Sequence, residues 1–238
     1  MKCLIVAAGQ GTRLREKGEL KPLIPIKGVP LIEHVINRAR GAGIDEFMVV
    51  SGYRGDKLRA ELNVFAAREK IRITHIPNPR WDRANGVSVL MAKQYLDEPF
   101  LLTMCDHLVD PEIFRSLISA PLVPDTVTLC VDFNIGNPLN DLEDVTRVKC
   151  LNGRIEHIGK VIRDFNAFDT GVFLCTPVIF DALEESQAHG DDSITGAMNV
   201  LARWNKALIF DIQDRLWVDV DDPAAFEKAE ILIESGQL

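Results

Sequence analysis

The chain has 238 residues, 47% hydrophobic and 26% charged, with a formal net charge of -8. That length allows one sizeable α/β domain or two small ones, and the composition is that of a soluble globular protein. The acidic balance argues against a nucleic-acid surface, and no apolar run reaches the length of a membrane span.

Met1-Lys2 leads straight into the first strand, so a signal peptide is not expected and the chain is read as cytoplasmic. Cys3, Cys105, Cys130, Cys150 and Cys175 lie in or beside apolar stretches with no C-x-x-C spacing, which points to buried reduced thiols. An acidic protein that handles anions must gather its few cations, or a metal, in one pocket.

Leu4, Ile5, Val6, Ala7 and Ala8 predict a first strand, which breaks into a glycine-rich loop at Gly9, Gln10 and Gly11 before Thr12, Arg13 and Lys21-Pro22. Small residues let backbone N–H groups approach an anion, and Arg13 and Lys21 supply fixed positive charge, so this stretch reads as a phosphate site. A dinucleotide-binding fold wants a glycine three residues after Gly11, where Leu14 stands. A P-loop wants Gly-Lys-Ser/Thr where Leu14, Arg15 and Glu16 fall. Both spacings fail.

Pro30 to Arg40 carries Leu31, Ile32, Val35, Ile36 and Ala39 at helical spacing, stopped by Gly41 and Gly43. A strand over Glu46–Ser51, a helix over Asp56–Arg68 and a strand over Ile71–Ile76 follow, and this alternation predicts a parallel sheet covered by helices on both faces. Asn85-Gly86-Val87-Ser88 opens a helix running to about Tyr95, with Asn85 and Ser88 placed to cap it or to face a ligand. Phe100 to Cys105 has no polar alternation and predicts a central strand buried on both faces. Asp106 follows it, where open α/β sheets bind ligands, and is assigned to a metal or a ribose; His107 is given no role. Asp110-Pro111 caps the next helix.

Thr126 to Phe133 predicts a strand and Asn134 to Asp144 a polar loop. Thr146 to Ile158 predicts a hairpin turning at Asn152-Gly153, an antiparallel excursion inserted over about residues 134–169 of one domain. Lys160 and Asp169 flank the expected cleft, and Val172 to Cys175 returns to the sheet. Helices over Pro177–Glu185 and Ser193–Trp204 and a strand over Ala207–Ile212 precede Trp217-Val218-Asp219-Val220-Asp221-Asp222-Pro223. On a strand, Asp219 and Asp221 would share one face about 6.5 to 7 Å apart, and two carboxylates projecting together need a cation or a proton between them. Asp222-Pro223 caps a closing helix that stops at Gly236.

With AAGQGTRL, KPL, NGVSVL, DVTRV, IGK, FDTGVFL and WVDVDDP, the whole chain resembles the GT-A-like, MobA-like nucleotidyltransferases, and within them the CTP:inositol-1-phosphate cytidylyltransferases. The resemblance implies a Rossmann-like mixed, mostly parallel sheet flanked by helices, with a small hairpin insertion. It implies Mg²⁺ held by Asp106, Asp219 and Asp221, with Arg13 on the β/γ phosphates and Lys21 on the α-phosphate and acceptor. Ala8, Gly9, Gly11, Thr12, Asn85, Gly86 and Ser88 join the nucleotide site, with Lys160 and Asp169 on the acceptor. In relatives of the inositol type it further implies a fused C-terminal membrane domain that uses the CDP-alcohol. A related transferase with another nucleotide or acceptor and a non-catalytic nucleotide-sensing subunit remain open alternatives. A glycosyltransferase is disfavoured because its Asp-x-Asp triplet is here Asp106-His107-Leu108.

Overall fold

The structure is a computed structural model and describes residues 1–137, 139 and 144–238. Parts of the expected 134–144 loop and of the 134–169 insertion, residues 138 and 140–143, lie outside the described residues.

In chain order the first half runs β1 (Lys2–Ala7), β2 (Pro25–Ile26), β3 (Val29–Pro30), α1 (Leu31–Gly41), β4 (Glu46–Ser51), α2 (Gly55–Glu69), β5 (Arg72–Pro77), α3 (Asn85–Leu90), β6 (Phe100–Met104), β7 (His107–Val109) and α4 (Pro111–Ser119). The second half runs β8 (Val127–Asp132), β9 (Arg147–Leu151), β10 (Arg154–Gly159), β11 (Ala167–Cys175), α5 (Val178–Ala188), α6 (Ile194–Arg203), β12 (Ala207–Asp211), β13 (Trp217–Asp219) and α7 (Pro223–Glu234). Among the described residues nine strands form one mixed sheet in the order β5-β4-β1-β6-β11-β8-β12-β10-β9. β5, β4, β1 and β6 are parallel, whereas β11 runs antiparallel to both β6 and β8.

The apolar runs of β1, β4 and β6 are buried on both faces, which is why they show no polar alternation. Along β1, Cys3, Ile5 and Ala7 enter the core beneath α1, α2, α4 and α7, while Leu4 and Val6 enter the core beneath α3, α5 and α6. Asp110, Ser193 and Asp222 accept backbone N–H bonds at the starts of α4, α6 and α7. All five cysteines are buried and free.

The hairpin turns at Asn152-Gly153, both at positive φ, as its sequence predicts. It is tied into the main sheet, β10 pairing with β12 and β9 with β11. Two expectations need correction at α3. It ends at Leu90, with a separate 3₁₀ turn over Lys93–Tyr95, and its N-cap position is Ala84, so neither Asn85 nor Ser88 caps it. Asn85 Oδ1 accepts from the backbone N–H of Ile194 instead, and Ser88 Oγ accepts from Asn78 inside the core. Among the described residues no helix is long and apolar enough to cross a membrane.

Candidate active site

A cavity of about 660 Å³ opens where β1 and β6 end, bounded by Ala8, Gly9 and Gly11 on one side and by Asp106 and His107 on the other. Gly11 adopts a φ of +62°, and a Cβ there would overlap the Cβ of Lys21. The glycine is what lets the lysine stem lie across the loop. Lys21 belongs to a 3₁₀ turn over Lys21–Leu23, which directs its buried side chain into the cavity.

Lys21 Nζ donates to Asp106 Oδ2 at 2.5 Å and also to Asp221. Burial works against its charge, but Asp106, Asp221 and Asp219 hold its pKa well above the usual lysine range. Burial likewise works against the charge on Asp106, yet Lys21 and His107 hold that carboxyl far below its usual range. At the cavity rim Arg13 donates to Asp144 at 2.5 Å and to Asp221, and Lys160 donates to the same Asp144. Each cation expected to meet a phosphate is therefore paired with a carboxylate.

Asp106, His107 and Asp219 form a group whose ligand atoms lie within 4.8 Å of one another. Asp219 Oδ1 is buried without a hydrogen-bond partner among the described residues, an arrangement that costs free energy unless a cation or a proton completes it. Burial pushes Asp219 up to about 7, with Asp106 and Asp221 adding to the rise against His107 and Lys21. A site of carboxylate oxygens with one uncompensated suits a hard divalent cation.

Asp219 and Asp221 line the same cavity while Val218 and Val220 are buried, as the alternation predicts, although β13 itself ends at Asp219. Past Asp219 the N–H of Val220 still bonds the Asp106 carbonyl, one register step beyond the Asp219–His107 pair, before Asp222 caps α7. Asp219 then faces His107, while Asp221 turns to Lys21 and Arg13.

Of the residues singled out from sequence, Ala8, Gly9, Gly11, Lys21, Asn85, Asp106, Lys160, Asp169, Asp219 and Asp221 line the cavity. Arg13 reaches it through Asp144 and Asp221, whereas Thr12 begins the 3₁₀ turn after Gly11 and lies off the wall. Gly86 and Ser88 also lie off the wall: Gly86 packs against Leu183 and the 192–193 backbone, leaving no room for a Cβ. Asp169 accepts from the N–H of Gly171 at 2.7 Å, and its carboxyl is raised to about 6 by burial, against that bond and His107.

His107, Asp144, Thr195 and Lys228 line the same cavity and were not singled out. Asp144 opens the DVTRV stretch and Lys228 lies in the closing helix, but neither stretch by itself marks its charged residue as part of a cavity. His107 follows Asp106 directly, and only its pairing with the distant β13 gives it a place.

Cations and carboxylates gathered at the carboxyl edge of the parallel half of a mixed sheet are the layout of a nucleotidyltransferase. Residues 3–162 match the model of the MobA-like NTP transferase domain, and the chain belongs to that family. It is 31% identical over 233 residues to a bifunctional IPC transferase and DIPP synthase of Rubrobacter xylanophilus, covering 96% of this chain and 51% of that protein. It is 28% identical to the like-named protein of Aquifex aeolicus, covering 95% of this chain and 50% of that one. The chain thus spans about half the length of these curated relatives. In fold it matches the inositol-1-phosphate CTP transferase of T. maritima with a TM-score of 0.87 at 24% identity, covering 98% and 94% of the two chains. It matches a UDP-glucose pyrophosphorylase complexed with UDP-glucose with a TM-score of 0.82 at 19% identity, covering 99% and 98%. These likenesses establish the α/β nucleotidyltransferase fold of GT-A type.

Proposed function

We propose that this chain transfers CMP from CTP to inositol 1-phosphate, giving CDP-inositol and pyrophosphate, and that in a longer protein it would supply the nucleotidyl-transfer half. The observation that carries the reading is Lys21, buried beside the Gly9–Gly11 loop and held between Asp106 and Asp221. The similarity to the IPC transferases over nearly the whole chain supports the choice of substrates.

The acceptor is a phosphate monoester whose second pKa is about 6, so at neutral pH it is largely a dianion and needs no general base. One of its oxygens forms the new bond to the α-phosphorus of CTP as the α–β bridging bond breaks and pyrophosphate departs. Two anions must be held in line while charge builds on the phosphoryl oxygens, which is work for fixed positive charge and backbone N–H groups. Lys21 meets the α-phosphate and the incoming oxygen. Arg13 leaves Asp144 and Asp221 for the β/γ phosphates, and Lys160 leaves Asp144 for the acceptor phosphate. Ala8, Gly9 and Asn85 border the nucleoside, and Asp169 faces the acceptor hydroxyls. The oxygens of Asp106 and Asp219 would hold Mg²⁺, with Asp221 freed once Lys21 turns to phosphate, and the ion would supply neutralisation of the charge on the α-phosphoryl group and the leaving pyrophosphate.

Pyrophosphate release, measured with CTP, UTP, GTP and ATP against a panel of phosphate esters, tests the assignment. Turnover with CTP and inositol 1-phosphate at least tenfold above every other pair is the expected result. Preference for a different nucleotide or ester would reassign the substrates within the family.

A further inference from the structure

We propose that His107 is a positioning residue: from a seat built by Trp217 and Gly171, its ring fixes the Asp106 carboxylate that, with Asp219, binds a divalent cation. The inference rests on the reading of those carboxylates as the cation site.

Three contacts define the seat. In the β7–β13 pair His107 stands directly opposite Asp219, so their side chains leave the same face, and Nδ1 lies 3.8 Å from the unpartnered Oδ1. Trp217, two residues before Asp219, stacks on the imidazole with ring centroids 6.4 Å apart and planes 16° from parallel. The indole is itself anchored, its Nε1–H donating to the buried Asp132 at 2.8 Å. On the other side Gly171, at a φ of +72° in the irregular stretch of β11, lies so close that any Cβ would overlap Cδ2 and Nε2 of the ring.

Held there, His107 shares a 2.8 Å hydrogen bond with Asp106 Oδ1 through Nδ1. An ionised carboxylate only accepts, so Nδ1 carries the proton and is the donor. That assignment removes His107 from the ligands: Nδ1 is committed to Asp106, Nε2 is walled in by Gly171, and a hard cation prefers the carboxylate oxygens. Asp106 Oδ2 is already fixed by Lys21. With Oδ1 held by His107, the Asp106 carboxylate has one orientation beside Asp219. Groups that orient metal ligands in this way typically change metal affinity by about 10- to 100-fold when removed.

The test separates the donor from the ring. His107→Phe keeps the stacking surface for Trp217 and loses the donor, whereas His107→Asn keeps an amide N–H near the position of Nδ1 and loses the ring. Mn²⁺ binding in the presence of CTP is read by electron paramagnetic resonance, with thermal melting of each metal-free variant. Wild-type protein is expected to bind Mn²⁺. His107→Phe is expected to bind about 10- to 100-fold more weakly while melting close to wild type, and His107→Asn to bind within a few-fold of wild type. Wild-type affinity in His107→Phe would overturn the proposal. So would His107→Asn binding as weakly as His107→Phe, which would make the ring a ligand or a spacer. If His107→Phe does not fold, His107→Asn decides alone: tight binding supports the proposal and weak binding overturns it. Failure of the wild-type protein to bind Mn²⁺ would overturn the cation site itself, and this inference with it.

Discussion

Lys21→Ala is expected to lower the rate of pyrophosphate release by about 10²- to 10³-fold, the usual loss when one fixed donor to a developing oxyanion is removed. The same substitution destabilises the protein when no cation is bound. Asp106 and Asp221 both rely on Lys21, whose side chain is only 7% exposed. Removing one partner of a buried ion pair typically costs about 3–5 kcal/mol, and the open cavity brings the cost here toward the lower end.

The pH dependence has a definite sign. In the wild-type protein Asp106 is depressed, so the stability that it shares with Lys21 is present above the ordinary carboxylate range and is lost only as pH falls through the depressed value. Without Lys21 the Asp106 carboxyl loses the largest influence holding it down and moves up, with His107 still working against the rise. The variant is therefore expected to melt below wild type above the ordinary carboxylate range, with the deficit shrinking as pH falls through that range, and to recover part of it with Mg²⁺. A wild-type rate in the variant would remove Lys21 from the mechanism.

Asp106→Asn is expected to reduce metal-dependent turnover by about 10³-fold or more, corresponding to the several kcal/mol of charge stabilisation a bound cation supplies. An asparagine carbonyl can still accept from His107, so the local geometry survives while the charge does not. Lys21 then has Asp221 as its direct partner and draws that carboxylate away from the cation. Steady-state rates measured across a Mg²⁺ titration check this: no saturation within the range that saturates wild type is expected. An unchanged Mg²⁺ dependence would remove Asp106 from the cation site.

How much of this was legible in the sequence depended on whether the cause was local. The continuous apolar runs of β1 and β6, the 3.6-residue period of Leu31 to Ala39, the Asn152-Gly153 turn and the Asp-Pro helix starts each act within a few residues, and each stands where the sequence places it. The strand β7 has three residues and exists through its pairing with β13 near the other end of the chain, so nothing around His107 announces it. Asn85 looked like a cap because of its type and position, but tertiary packing gave its oxygen to Ile194 in α6. Asp219 and Asp221 were legible together because the alternation that buries Val218 and Val220 persists past β13, where Val220 bonds back to Asp106. Lys21 and Asp106 were legible because the glycine loop and a strand end fix them from nearby, whereas Asp144 and Lys228 are brought to the cavity by tertiary packing of the DVTRV stretch and the closing helix.

The central claim is that a triphosphate lies against the Gly9–Gly11 loop and Lys21 while its divalent ion sits between Asp106 and Asp219. A crystal structure with CTP and Mn²⁺ tests this most directly through anomalous scattering. The expected result is a peak about 2.0–2.5 Å, a normal metal–oxygen distance, from oxygens of both carboxylates, with the α-phosphate on Lys21. A peak away from both carboxylates, or phosphates bound elsewhere than at the glycine loop, would contradict it.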